Sequence, residues 1–126
     1  MLNFEPLRTL HWLRTVFRGY NLSVEERVLR FTEEVLELGQ AEGMTREQAH
    51  ALVEQVHDKP VGEVQQELGG TLVTLASYLA VSGQDPNEAY DKEWRRVQSP
   101  TVIDRIREKH TQKKVVSSSE PRFHNP

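Results

Sequence analysis

The 126-residue chain contains no cysteine, which excludes disulfide bonds, thiolate zinc sites and cysteine nucleophiles. Its five histidines form no pair at zinc-ligand spacing, so a histidine metal site is not expected. The chain also lacks the phosphate-binding loop G-x-x-x-x-G-K-[ST] and the serine hydrolase turn G-x-S-x-G. No stretch approaches the roughly 18 apolar residues of a membrane span, and the first residues lack the apolar run of a signal peptide. We therefore expect a soluble, cytoplasmic protein with no membrane partner.

The charge balance limits the partners further. Sixteen basic residues stand against 19 acidic ones, which gives a formal net charge of −3. No helical segment has a basic stripe, so nucleic acid is not an expected partner. Any polyphosphate ligand would need a bound metal or a local basic cluster.

Apolar residues recur at helical spacing along most of the chain, and no strand pattern occurs. Ser23 with Glu26, and Thr45 with Gln48, have the spacing of capping boxes. We predict an all-α bundle of four to six helices in a single domain over residues 1–110, with a flexible tail over 111–126. The predicted helices span residues 6–18, 24–41, 46–57, 61–81 and 86–97, and a sixth can follow Pro100.

The second helix contains the run "FTEEVLEL", in which Glu33, Glu34 and Glu37 lie within about 100° of arc. A solvated helix face is the simple explanation, but like charges one turn apart repel weakly. Glu63 and Glu67 are similarly spaced on the fourth helix. If the two helices pack side by side and antiparallel, the carboxylates converge and require cations. Oxygen ligands alone suit Mg²⁺ or Mn²⁺, which usually recruit substrate phosphates.

The segments "RFTEEVLEL" and "QELGGTLVTLASYLAVSGQDP" resemble the MazG-like branch of the all-α nucleoside triphosphate pyrophosphohydrolases. The similarity covers residues 24–97, and the family signature is E-E-x-x-E on one helix followed by E-x-x-D on another. It implies magnesium-dependent cleavage of a (deoxy)nucleoside triphosphate between the α and β phosphates, giving a monophosphate and pyrophosphate. It also implies assembly as a homodimer or homotetramer with sites built between chains.

Carried over residue by residue, the resemblance makes Glu34, Glu37 and Glu67 metal ligands. Glu33 becomes a ligand or, like Glu37, a candidate catalytic base for the attacking water. The second motif departs from the family, because Gly70 stands where the family has aspartate. Either Glu63 or a water replaces that ligand, or the protein is a weakened or inactive relative that binds nucleotides or other proteins. Gly69 is expected to allow close approach of another helix.

Basic residues late in the chain resemble the K-x-x-x-R pattern with which the family holds phosphates. Lys92 and Arg96 are one turn apart with Arg95 beside them, and Lys59 precedes the fourth helix. An ordinary charged helix face is the alternative for this group. Trp12 and Trp94 are expected in the core rather than against a base. Arg30 is expected to pair with the neighbouring glutamates.

Overall fold

A computed structural model of the protein describes residues 5–18 and 22–119, with the backbone alone for residues 113–119. Over these ranges the chain is all-helical and contains no strand, which confirms the predicted all-α class. None of the described helices is long and apolar enough to span a membrane. The six helices are α1 (Pro6–Val16), α2 (Val24–Ala41), α3 (Arg46–His57), α4 (Val64–Ser82), α5 (Pro86–Arg96) and α6 (Pro100–Ser119).

The caps explain most helix boundaries. Thr45 and Gln48 form the predicted capping box at α3, and the Asp85 carboxylate accepts hydrogen bonds from the first backbone N–H groups of α5. Gly83 ends α4 with φ +72°, a left-handed conformation that glycine adopts without strain. The sequence places the start of α4 two or three residues too early, because Glu63 is an extended N-cap residue.

The last helix is longer than the sequence indicates. α6 continues to Ser119, so residues 111–119 of the predicted tail are helical. They contain no proline or glycine that would stop a helix. The remaining tail residues, 120–126, lie outside the described residues.

The described chain divides into two compact units. The first unit contains the residues up to Arg27 together with those from Asp85 onward, and the second contains Val28–Gln84. The buried residues of the described chain all belong to the first unit, and they are Val16, Phe17, Val102 and His110.

The first unit is held together by contacts between α1 and the last two helices. The Arg107 guanidinium donates hydrogen bonds to the carbonyls of Val16 at 2.7 Å and Thr15 at 3.4 Å, which are left without helical partners at the end of α1. The Phe17 ring packs against His110 at a centroid distance of 4.4 Å. Arg27, at the start of α2, lies 5.6 Å from the centre of the same ring.

Arg8, Tyr90 and Trp94 form a cation and aromatic cluster in this unit. The Arg8 guanidinium lies 4.6 Å from the centre of the Trp94 ring and donates a hydrogen bond to the Tyr90 hydroxyl at 3.4 Å. Partial burial is the largest single influence on the pKa of Tyr90 and raises it. The hydrogen bonds from Arg8 and Thr9 act in the opposite direction, and the pKa of Tyr90 is lowered overall.

The three helices α2, α3 and α4 contain no buried residue. Phe31 and Val35 of α2 are 56% and 50% exposed, and Leu72 of α4 is 49% exposed. The apolar stripes of these helices match the predicted periodicity, but within one chain they are only half covered. The expectation that α2 is covered on more than one side is therefore not met by the chain alone.

Candidate functional site

The candidate site begins with the acidic side of α2. The Ser23 hydroxyl accepts a hydrogen bond from the Glu26 backbone N–H at 3.1 Å and fixes the start of the helix. One helical stretch therefore carries Glu33, Glu34 and Glu37, and the last two are exposed. Arg30 lies 3.5 Å from the Glu33 carboxylate, which confirms the predicted pairing. This ion pair removes part of the like-charge repulsion on the acidic side.

A groove of about 330 Å³ lies beside this acidic side, between α2 and the start of α3. Glu33 and Glu37 line one wall, and apolar side chains form much of the rest. The residues that line it are Glu33, Leu36, Glu37, Gln40, Met44, Thr45, Arg46, Ala49, His50 and Val53. Two predicted site residues therefore face a shared cavity that offers both carboxylates and an apolar surface.

The contribution of α3 to this groove was not expected from the sequence. Arg46 and His50 lie one turn apart on α3 and both line the groove. The capping box at Thr45 fixes the start of α3 and hence the position of this pair. The capping-box spacing in the sequence predicts where α3 begins, but it gives no information about a neighbouring cavity.

Glu63 and Glu67 do not form the pair on one helix that the sequence predicts. Glu67 lies in the first turn, and its carboxylate lies against Gly62, where even a Cβ atom would collide with it. Glu63 precedes the helix with φ −92° and ψ 135°, so its side chain does not continue the helical row of Glu67. Glu63 is therefore poorly placed to supply a ligand beside Glu67.

Both glycines of the second motif lie within α4. Apart from its adjacent residues and the backbone of its own helix, a Cβ atom on Gly69 or Gly70 would have no atom of the chain within 4 Å. Within one chain, Gly69 therefore does not provide the close helix approach that the sequence predicts. Space for the missing aspartate side chain remains open at Gly70.

A hydrogen bond shows how part of α4 lies relative to the end of α2. The Tyr78 hydroxyl donates to the Glu42 carboxylate at 3.0 Å, and partial desolvation followed by this bond raises the pKa of Tyr78. Glu42 directly follows α2, and Tyr78 lies near the C-terminal end of α4. Antiparallel neighbours would instead place the end of α2 beside the start of α4, so this contact does not support the expected antiparallel pairing.

In the part of the chain that the structure describes, no three acidic or histidine side chains are grouped closely enough to hold a metal ion. Glu34 and Glu37 share one helix face and fit a hard divalent ion in kind, because magnesium is commonly held by one or two carboxylates. The third predicted ligand, Glu67, does not join them in a group of three. The donor chemistry of a single chain thus fits magnesium, but the full predicted ligand set does not assemble within it.

The predicted phosphate-binding residues of α5 make ion pairs on their own helix. Lys92 lies 3.3 Å from the Glu88 carboxylate, and Arg96 lies 2.6 Å from that of Glu93. The Arg95 side chain donates to the Asp91 carbonyl at 3.2 Å. These residues belong to the first unit, whereas Lys59, an exposed residue after α3, belongs to the second. A phosphate ligand would have to compete with these exposed pairs, each of which contributes little.

Both tryptophans have structural contacts in the first unit. The Trp12 indole N–H donates to the Val97 carbonyl at 3.1 Å, and the two indole rings are 6.2 Å apart. Both indoles are only partly buried, so they make structural contacts without belonging to the buried core that the sequence predicts for them.

Comparison of the chain with protein-family models, curated proteins and solved structures found no match.

Proposed function

We propose that the protein is a metal-dependent nucleotide pyrophosphohydrolase that cleaves (deoxy)nucleoside triphosphates between the α and β phosphates and works in the cytoplasm. The observation that carries the proposal is the acidic side of α2, where three glutamates follow E-E-x-x-E spacing and two of them line an open groove. Hydrolysis of a phosphoanhydride requires charge neutralisation and a base near water, and this surface offers both kinds of group.

In this proposal Glu34 and Glu37 hold Mg²⁺ or Mn²⁺ together with Glu67. Bound there, the ion would offset phosphate charge and lower the pKa of a coordinated water. Glu33 or Glu37 accepts the proton of the attacking water. Lys92 and Arg96, with Arg95 and Lys59 as further candidates, bind the phosphate oxygens by charge-assisted hydrogen bonds.

Pyrophosphate release tests the activity. Canonical and modified deoxynucleoside triphosphates are assayed with magnesium and with manganese. The double substitution Glu34→Gln with Glu37→Gln is expected to lower release by at least about a hundredfold, the scale on which acid–base catalysis contributes. Glu54→Gln on exposed α3 is the matched control, with release equal to the unmodified protein. Equal release from the double variant would exclude these residues from the site.

A mixing experiment tests whether the ligands come from two chains. The Glu67→Gln protein and the double variant with Glu34→Gln and Glu37→Gln are mixed, dissociated and then allowed to reassociate. If each site takes Glu67 from one copy and the α2 pair from the other, mixed dimers contain one intact site. Release should then recover to about a quarter of the unmodified level in a random mixture of two-fold dimers. No recovery is expected if all ligands come from one chain.

A second candidate function is favoured by the α4 geometry. Gly70 leaves the aspartate position open, and the extended Glu63 does not continue the row of Glu67. A relative weakened in this way would bind nucleotides or a protein partner without turnover. Calorimetric titration with magnesium separates the two candidates, since the enzyme requires saturable metal binding that the Glu34 and Glu37 substitutions remove.

A further inference from the structure

The groove between α2 and the start of α3 has basic as well as acidic residues in its lining. Arg46 and His50, one turn apart on α3, line it together with Glu33 and Glu37 of α2. Neither α3 residue belongs to the two segments that carry the family resemblance. All the lining residues lie within 28–84, the second compact unit. The groove is therefore a property of that unit alone.

Arg46 is the basic residue of this unit that is available to a ligand in the groove. Residues 28–84 contain three basic residues, Arg30, Arg46 and Lys59, against nine acidic ones. Arg30 lies 3.5 Å from the Glu33 carboxylate, and Lys59 does not line the groove. The Arg46 side chain is exposed, and it makes no hydrogen bond or ion pair with another residue in the described part of the chain. An anion that enters the groove therefore does not have to displace a carboxylate from Arg46, as it would from the ion-paired basic residues of α5.

The turn before α3 gives the groove an apolar surface. The Met44 backbone N–H donates to the Gly39 carbonyl at 2.8 Å, and Gly43 adopts φ +100° in this turn. A Cβ atom on Gly39 would lie 2.6 Å from the Met44 methyl carbon, so this side chain lies directly against α2. Ala49 and Val53 of α3 extend the apolar surface. At about 330 Å³, the groove is within the roughly 300–1,000 Å³ of small-molecule pockets, which combine an apolar lining with a few polar groups.

We propose that Arg46 and His50 bind the phosphate chain of a nucleoside triphosphate whose base lies against Met44. This inference rests on the proposed function, and it adds to it two phosphate-binding residues and a position for the base. Arg46 presents a planar fork of N–H groups that matches phosphate oxygens, and His50 adds a ring N–H donor one turn further on. The Met44 thioether suits an aromatic base, because sulfur packs favourably against aromatic rings.

The charge of the groove supports the same assignment. Its glutamates alone would repel a phosphate chain, and a single divalent ion bound to them leaves a triphosphate negatively charged. The Arg46 guanidinium supplies positive charge from the α3 side through charge-assisted hydrogen bonds.

Methyl NMR of the full chain tests where the nucleotide binds. The chain contains two methionines, and Met44→Leu identifies the Met44 signal in protein labelled with methyl-¹³C methionine. The probes are the canonical deoxynucleoside triphosphates with a non-hydrolysable α,β-methylene bridge, added with magnesium, and the parent nucleosides. The Met44 signal is expected to shift saturably with a triphosphate and with its nucleoside. Calorimetric binding of the triphosphate without any shift of the Met44 signal would overturn the proposal.

Arg46→Ala separates a phosphate contact from a general effect on the groove, and alanine is well tolerated in a helix. It should raise the triphosphate dissociation constant at least about tenfold, the size expected for a lost hydrogen bond to a charged group, and leave that of the nucleoside unchanged. Arg46→Lys keeps the charge without the fork and should be intermediate. The matched control is Arg105→Ala on α6, where the side chain is exposed, and it should bind like the unmodified protein. Equal triphosphate binding by Arg46→Ala and Arg105→Ala would overturn the proposal, and so would an equal loss for triphosphate and nucleoside.

These results are distinct from those of the activity assay. Triphosphate binding that depends on Arg46 but occurs without pyrophosphate release would support this inference and refute the proposed hydrolase. Release by Arg46→Ala with an unchanged KM would support the hydrolase and overturn this inference. Absence of triphosphate binding by the unmodified protein would overturn both.

Discussion

The two adjacent glycines of α4 allow a sharp test of what surrounds that helix. An alanine in place of a glycine inside a helix stabilises it by about 0.5–1 kcal/mol, because the unfolded chain loses conformational freedom. A Cβ atom on Gly69 or Gly70 would meet no atom of its own chain within 4 Å beyond its adjacent residues and the backbone of its own helix. In an isolated chain both Gly69→Ala and Gly70→Ala should therefore raise stability by the same amount.

If a second copy packs against α4 in the proposed dimer, this equivalence is broken. Gly69 lies on the same side of α4 as Leu72 and Val73, whereas Gly70 is about 100° further round the helix. A methyl group inserted into a close helix contact costs about 1–3 kcal/mol, which exceeds the gain from the backbone. We expect Gly70→Ala to raise the melting temperature by a few degrees. Gly69→Ala should weaken association and lower the melting temperature under conditions where the unmodified protein is assembled.

Thermal unfolding followed by circular dichroism at several protein concentrations measures both effects. The deficit of Gly69→Ala relative to Gly70→Ala should grow with concentration, because association stabilises the assembled form by mass action. An equal increase in melting temperature for both variants at every concentration would refute the reasoning, since Gly69 would then face solvent in solution as it does within one chain.

Two further predictions concern single hydrogen bonds, and a third concerns the open position at Gly70. Trp12→Phe removes the indole donor to the Val97 carbonyl and should lower the free energy of unfolding by about 1 kcal/mol in denaturant titration; an unchanged midpoint would contradict that role. Desolvation, and next the hydrogen bond to Glu42, raises the pKa of Tyr78 from its usual value of 10.0. The uncharged tyrosine therefore stabilises the fold fully below pH 10, and this contribution is lost as the pH rises through the folded-state pKa. Stability of Tyr78→Phe should therefore fall less steeply above pH 10, and identical pH profiles would exclude the bond in solution. Gly70→Asp should increase pyrophosphate release about tenfold or more by restoring a carboxylate, because ligand charge tunes metal affinity; Gly70→Asn is its uncharged control, and an equal effect would show that charge is not the cause.

Local sequence signals predicted the helices well. The bounds of α2 and α3 agree with the expected 24–41 and 46–57, because capping residues and apolar periodicity act within a few residues of each other. The start of α4 was less predictable, since the Val61 and Gly62 that precede it are apolar or small and resemble a first helical turn. Glu63 adopts an extended conformation there, and the helix begins one residue later.

The candidate site was predictable only in part, for a related reason. The spacing of Glu33 and Glu37 along α2 places both on one side of the helix, where they line the groove. Their relation to Glu67 depends on how two helices pack, and apolar periodicity specifies which side of each helix is apolar without specifying the partner or the direction. The Tyr78 to Glu42 hydrogen bond joins side chains 36 residues apart, beyond the reach of any local pattern.

The same distinction explains why the apolar stripes did not predict burial. Phe31 and Val35 have the spacing of core residues but are about half exposed in one chain. Apolar periodicity predicts that a side chain is covered by protein, but it does not tell whether its own chain or another one covers it. The uncharged run from Leu68 to Ser82 carries more information, because one neighbouring layer covers only one side of a helix. An uncharged run of this length in so short a chain therefore supports the proposed assembly of several copies, and the 67% exposure of Val73 shows that its own chain leaves this part of α4 uncovered.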